Sequence, residues 1–158
     1  MKITYRVNDP WDGEALSRKM HSDQAYESNW RCLSVLHDGE LAGGVIYTNF
    51  NVRSVQIHVA AFTPKWLTRD FLWMCFDWPF NRMGVDVVYG PVDSSNDHAL
   101  QFDLRLGFVE EARLVGGSPT GDIVILSMRR HQCRWLNYTP RQVGPPPNEQ
   151  RLRSPSGS

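Results

Sequence analysis

The sequence predicts an α+β fold: a mixed, mostly antiparallel sheet flanked by helices. Three observations carry this expectation. From Val52 to Phe62 the residues alternate, Val55, Ile57 and Val59 pointing one way and Gln56, His58 and Ala60 the other, as in a strand. From Phe71 to Trp78 the chain is apolar almost all round, as a buried helix is. The remaining segments complete the order β-α-β-β-β-α-β-α-β-β within one short chain.

Each element has its own local reason. Lys2 to Val7 alternates as a short strand, and Asp9-Pro10 breaks it. A weakly periodic stretch from Trp11 to about Gln24 reads as a helix with Ala15, Leu16 and Met20 on its buried face. Arg31 to His37 and Leu41 to Asn49 are two strands joined by the hairpin turn Asp38-Gly39. After the Val52 to Phe62 strand, Thr68 caps the apolar helix, Pro79 kinks or ends it, and Gly84 closes the segment. Val85 to Val92 is a buried strand. Ser95 or Asn96 caps the next helix, in which Ala99, Phe102 and Leu106 share a face and Gly107 is the stop. Val109 to Val115 and Asp122 to Arg129 form a last hairpin around GGSPTG. Beyond Leu136 the composition turns to Pro, Arg and Ser. Residues 137–158 therefore read as a disordered tail behind a single domain of residues 1–136.

Bulk properties narrow the function. A chain of 158 residues, 41% hydrophobic and 11% aromatic, builds one real core. Seventeen basic and seventeen acidic residues cancel, so no global field draws the chain to nucleic acid or membrane. The run Arg129-Arg130-His131 with Arg134-Trp135 is basic and aromatic, as a nucleic-acid contact is, but reads first as a strand end capped by solvated arginines. Cys32, Cys75 and Cys133 are odd in number and far apart, which suits reduced thiols in a cytoplasm. The longest apolar run, Phe71 to Phe76, is too short to span a bilayer. The five histidines show no metal-ligand spacing, so no metal site is expected.

The segment Ser54 to Phe108 runs strand, helix, strand, helix and ends in NDHALQFDLRLGF. In that order and spacing it resembles the core of the GNAT superfamily of N-acetyltransferases, and the likeness extends over about residues 1–136. The aromatic helix and LGF turn are similar to small phage-type acetyltransferase-like proteins, with a further likeness to the ribosomal-protein N-terminal acetyltransferases. The resemblance implies acetyl-coenzyme A as acyl donor and an amine as acceptor: a small molecule, a protein N-terminus, a lysine or a modified base. Homodimerisation stays open.

The resemblance also assigns residues. A pyrophosphate would sit at the start of the apolar helix, at Thr68, Arg69 and Asp70, because free N–H groups and the helix dipole favour anions. Members usually carry R/Q-x-x-G-x-G/A there, whereas this chain has Trp66-Leu67-Thr68-Arg69-Asp70-Phe71. Thr68 and Asp70 serve equally as ordinary caps. The preceding strand should bulge at Ala60, Ala61 and Phe62, its backbone pairing with the pantetheine arm and one N–H facing the thioester carbonyl. Asn96 and Ala99 match the N-x-x-A element that holds the cofactor arm. Many members place a tyrosine acid four residues before the LGF glycine; here Asp103 stands there, a poor acid at neutral pH unless its pKa is raised strongly. His58, whose imidazole titrates in the useful range, is the candidate base, although a lone strand histidine is more often a hydrogen-bonded structural residue; Tyr89 and Ser94 are lesser candidates for the acid or a relay. Two rival readings remain: a GNAT-fold binding module without activity, and an acyltransferase-like nucleic-acid modifying protein.

Overall fold

The computed structural model describes residues 1–20 and 30–142. Seven strands form one sheet: β1 Ile3–Val7, β2 Arg31–His37, β3 Glu40–Asn51, β4 Ser54–Ala61, β5 Val87–Asp93, β6 Val109–Ser118 and β7 Gly121–Arg129. Their order across the sheet is β1-β2-β3-β4-β5-β7-β6. Every neighbouring pair is antiparallel except β4 and β5, which are parallel. The two hairpins at the start and the hairpin at the end are local pairings. The parallel contact has to be made by a crossover, and the apolar helix supplies it.

The helices are α1 Pro10–Lys19, α2 Arg69–Asp77 and α3 Asp97–Leu106. Helix α1 has Met20 as its C-cap, and the rest of the expected stretch, to Gln24, lies outside the described residues. Asp9 caps it by accepting from the N–H groups of Trp11 and Asp12, each at 3.0 Å. Its buried side includes Asp12 and Gly13 as well as Leu16. Asp12 tolerates burial because Arg6 holds both of its oxygens, at 2.6 and 2.8 Å. Gly13 has to be glycine because the Trp30 ring lies where a Cβ would go.

Pro79 neither ends α2 nor simply kinks it. The chain widens into a π-helical turn, Trp78–Met83, and Gly84 closes it in the left-handed region at φ 74°. A proline has no N–H to give the carbonyl four residues back, here that of Cys75. Tyr47 on β3 takes that place, its hydroxyl donating to Cys75 O at 2.5 Å. Tyr47 and Trp78 are both fully buried and pack edge to face with centroids 5.4 Å apart.

The sheet separates two apolar layers. The larger gathers Val45, Tyr47, Val55, Ile57 and Val88 with the α2 side chains, and Ala99, Phe102 and Leu106 of α3 pack against it. The smaller lies under α1 and holds Leu16, Trp30, Cys32, Ile46 and Ala60. The alternation along β4 is therefore real: Val55 and Ile57 enter the first layer and Ala60 the second. The described chain runs past Leu136 to Gln142, and this segment is bonded to the domain. Tyr138 donates to Asp70 at 2.8 Å, the N–H groups of Arg141 and Gln142 do so at 3.0 and 2.8 Å, and the Gln142 amide reaches Ile3 O at 2.8 Å. Polar bonds rather than apolar burial hold this segment, which is why its composition hides it. The expected tail from residue 143 lies outside the described residues.

Candidate active site

The site begins where two strands part. β4 and β5 pair only through Ser54–Val87, Val55–Val88 and Gln56–Tyr89. Beyond that point β4 stays with β3 as far as Ala61, and β5 stays with β7 as far as Asp93. A cleft of about 650 Å³ opens between them. Phe62 N–H donates to Ala42 O at 2.8 Å, and amides alternate sides along a strand. Val59 and Ala61 therefore turn their N–H and C=O groups away from β3 and into the gap. Trp66, Leu67, Leu72 and Phe76 close one side of the cleft, Asn96, Ala99, Phe102 and Asp103 another, and Lys19 and Met20 of α1 a third.

The expected bulge at Ala60 to Phe62 is absent. The β3–β4 register runs unbroken from Thr48–Gln56 to Gly43–Ala61 and shifts only beyond Thr48, towards the turn. The cleft is opened by divergence from β5, and no extra residue is required. Of the three residues expected there, Ala61 offers its backbone to the gap, Ala60 lines the cleft but is paired with β3, and Phe62 lies outside it and 45% exposed. Lys19 Nζ stands 6.0 Å from the Phe62 ring.

Asn96 and Ala99 both line the cleft, and Asn96 also caps α3, accepting from Ala99 N–H at 3.1 Å. Tyr89 is not brought there. It stands at the closed end, opposite Gln56 and Ser127, where the sheet is still intact. Ser94 is committed to structure, its hydroxyl accepting from Asp122 N–H at 2.8 Å. The start of α2 lies outside the cleft. Thr68 caps Phe71 N–H at 3.0 Å and shares a hydrogen bond with Tyr5 at 3.1 Å. Arg69 is exposed. Burial alone would raise the Asp70 carboxyl, yet the bonds from Arg141, Tyr138 and Gln142 together hold it below the ordinary range. Its oxygens are thus taken up by residues 138–142, and its negative charge stays in the first turn of α2.

Electrostatics single out two groups. His58 lies in the cleft with its Nε2 2.8 Å from Thr48 Oγ1, and burial lowers its pKa to about 4. It is neutral at pH 7, well below the ordinary imidazole range that the sequence suggests. Asp103 also lines the cleft, and burial raises its pKa to about 7. Sequence reasoning set Asp103 aside because a carboxyl titrates near 4 in solution; nothing in the local sequence reports the apolar wall around it. Lys19 and Trp66 were missed for the same reason. Asp93, at the cleft margin, behaves oppositely: Ser118, Thr120 and Ser95 hydroxyls hold its carboxylate far below the usual range. The basic patch near the C-terminus is used internally. Arg129 pairs with Glu111 at 3.0 Å, Arg130 reaches Asn81 at 2.5 Å, and Arg134 donates to Arg105 O at 2.6 Å.

The seven-stranded, mostly antiparallel sheet with its three helices is a GNAT-like α+β fold. The solved structures agree. The spermidine/spermine N-acetyltransferase SpeG from Vibrio cholerae, in mutant forms, superposes with a TM-score of 0.70 at 18% identity, covering 86% of this chain and 98% of that one. The spermidine N-acetyltransferase from Vibrio cholerae in complex with CoA and spermine gives 0.63 at 18% identity, covering 82% and 96%. At such identity the likeness is one of fold. The sequence matches no protein-family model and no curated protein.

Proposed function

We propose that the protein transfers an acetyl group from acetyl-coenzyme A to an amine. The observation that carries this reading is the strand split: two free backbone edges at Val59 and Ala61 facing a cleft of about 650 Å³, in the fold of enzymes that use such a cleft. The residues fit the donor. A narrow, polar-edged, apolar-walled slot suits a pantetheine arm, with Asn96 at its margin. Lys65 and Arg69 are exposed beside the start of α2 and can pair with the donor's phosphates, against the charge of Asp70, whose oxygens are bonded to residues 138–142. When bound, the donor supplies an activated thioester carbonyl. The strand edge orients it, and an amide N–H of β4 polarises its oxygen.

The attacking nitrogen must lose a proton. His58 projects to the α1 side of β4 and is neutral at pH 7, so it can accept one. Its weak basicity suffices because the nitrogen becomes strongly acidic once its lone pair is committed to the carbonyl carbon. On that side of the cleft Lys19 is the charged group among the described residues. A cation there disfavours a polyamine and favours an acceptor with a single amine, in line with the likeness to N-terminal acetyltransferases. No helix among the described residues is long and apolar enough to cross a membrane, and the three cysteines are free and buried. Both fit a place in the cytoplasm.

One observation favours a binding module instead: the α2 start carries no glycine, and residues 138–142 are bonded to it. Calorimetric titration with coenzyme A, alongside thiol release from acetyl-coenzyme A over amines that include spermidine and a short peptide, separates the readings. Enzyme activity requires binding, stabilisation of about 2.7 kcal/mol at one hundred times the dissociation constant, and thiol release with at least one amine. Binding without release in every case supports the module; no binding at all sinks the acetyl-transfer reading.

A further inference from the structure

We propose that the acceptor is an amine that also carries an anionic group, which Lys19 holds at the mouth of the cleft; the inference rests on the acetyl-transfer reading. The distribution of charge around the cleft carries it. Arg18 and Lys19 are the two basic residues in the last turn of α1. Arg18 is paired with Glu14, one turn back. Lys19 makes no ion pair among the described residues, and it is the one of the two that lines the cleft. Its Nζ stands 6.0 Å from the centre of the exposed Phe62 ring, so the cation sits beside an open aromatic face at the rim.

The position matters as much as the charge. Side chains alternate along a strand, so His58 and Ala60 share the face that α1 covers, and the Phe62 ring meets Lys19 on that side. From His58 to Phe62 the chain advances four residues, about 13 Å in extended form. Ala60, between them, contributes only a methyl group to the cleft wall. An acceptor laid along this face has its nitrogen at the His58 end and a second group beneath Lys19.

Among the described residues no cleft carboxylate is open to a second ammonium. Two aspartates line the cleft. Asp93 already accepts from the Ser95 amide and hydroxyl through Oδ1, and from the Ser118 and Thr120 hydroxyls through Oδ2. Asp103 stands on α3, as His98 does, and α3 packs on the face of the sheet opposite α1. A polyamine therefore meets a cation where its second nitrogen needs an anion. An anionic group meets a partner without a competitor, beside an aromatic surface that thins the screening water. A free amino acid and the first or second residue of a peptide all offer this chemistry, and the acceptor series tells them apart.

The test measures kcat/KM by thiol release from acetyl-coenzyme A, with acceptor pairs that differ in one charge. The pairs are alanine against alaninamide, Asp-Ala amide against Asn-Ala amide, and Ala-Asp amide against Ala-Asn amide, with spermidine as the polycation. In the wild type the anionic member of at least one pair should be favoured about tenfold or more, the scale of one charge-assisted hydrogen bond. The pair so favoured locates the anion. The preference should shrink as salt is raised. Lys19→Arg should keep it, Lys19→Met should abolish it, and Lys19→Glu should reverse it and raise the rate with spermidine. Coenzyme A affinity, by calorimetry, should be the same in all four proteins. Equal rates within every pair in the wild type, a preference that survives Lys19→Glu, or spermidine as the best wild-type acceptor would each overturn the proposal. So would a loss of coenzyme A affinity in Lys19→Met, which would assign the cation to the donor. All four results leave acetyl transfer standing, whereas wild type that releases thiol with no amine in the series overturns the reading beneath.

Discussion

Replacing Tyr47 with Phe removes one oxygen from the centre of the molecule and tests how Pro79 is tolerated inside a helix. The hydroxyl donates to Cys75 O at 2.5 Å, both groups are buried, and the ring itself would keep its edge contact with Trp78. Packing is therefore conserved and the hydrogen bond is isolated. Leaving a buried carbonyl short of its donor costs about 1–3 kcal/mol, so a loss of about 2 kcal/mol is expected. For a domain of this size that lowers Tm by roughly 7 °C, from an unfolding entropy of about 2 cal/mol/K per residue. Urea unfolding followed by fluorescence gives the free energy, and a thermal melt checks it. A double-mutant cycle sharpens the result: Pro79→Ala restores an N–H that can reach the Cys75 carbonyl, so the same Tyr47→Phe change should then cost less. A Tyr47→Phe loss below about 0.5 kcal/mol, or an equal loss in both backgrounds, would refute the account.

Two further expectations concern stability. The Asp103 carboxyl is raised from 3.8 to about 7, so the folded state holds its proton more tightly than the unfolded chain does. Its contribution is fully present below pH 4 and is lost as pH rises through 7; the displacement corresponds to roughly 4 kcal/mol. Urea unfolding from pH 4 to 8.5 should show Asp103→Asn gaining on the wild type with rising pH, and a flat difference would contradict this. Ending the chain at Leu136 removes the bonds of Tyr138, Arg141 and Gln142 to Asp70 and should cost about 1–2 kcal/mol; ending it at Gln142 isolates that effect, and equal melting temperatures for the two truncations would show that these bonds contribute nothing.

The local grammar of this chain was written in its residues. Alternation placed β4 and its two faces, the short polar side chains of Thr68 and Asn96 marked where helices begin, and Gly84 and Gly107 marked where they end, because each rests on the geometry of a few neighbouring residues. The order of those elements sufficed for the fold. What the residues could not show depends on partners distant along the chain. Nothing near Asp103 announces that Gly90 and Phe108 will stand before it, nothing near Cys75 says that Tyr47 will replace a proline's missing donor, and nothing in the polar run after Leu136 reveals that Asp70 gathers three of its hydrogen-bond donors. The same limit explains the absent bulge: the cleft comes from the parting of β4, held by β3, from β5, held by β7, and only their assembly into one sheet decides where they part. Propensity and pattern act within a turn or two of chain, whereas pKa, pairing and shape of the cleft are set by the dielectric and the donors that folding brings from elsewhere.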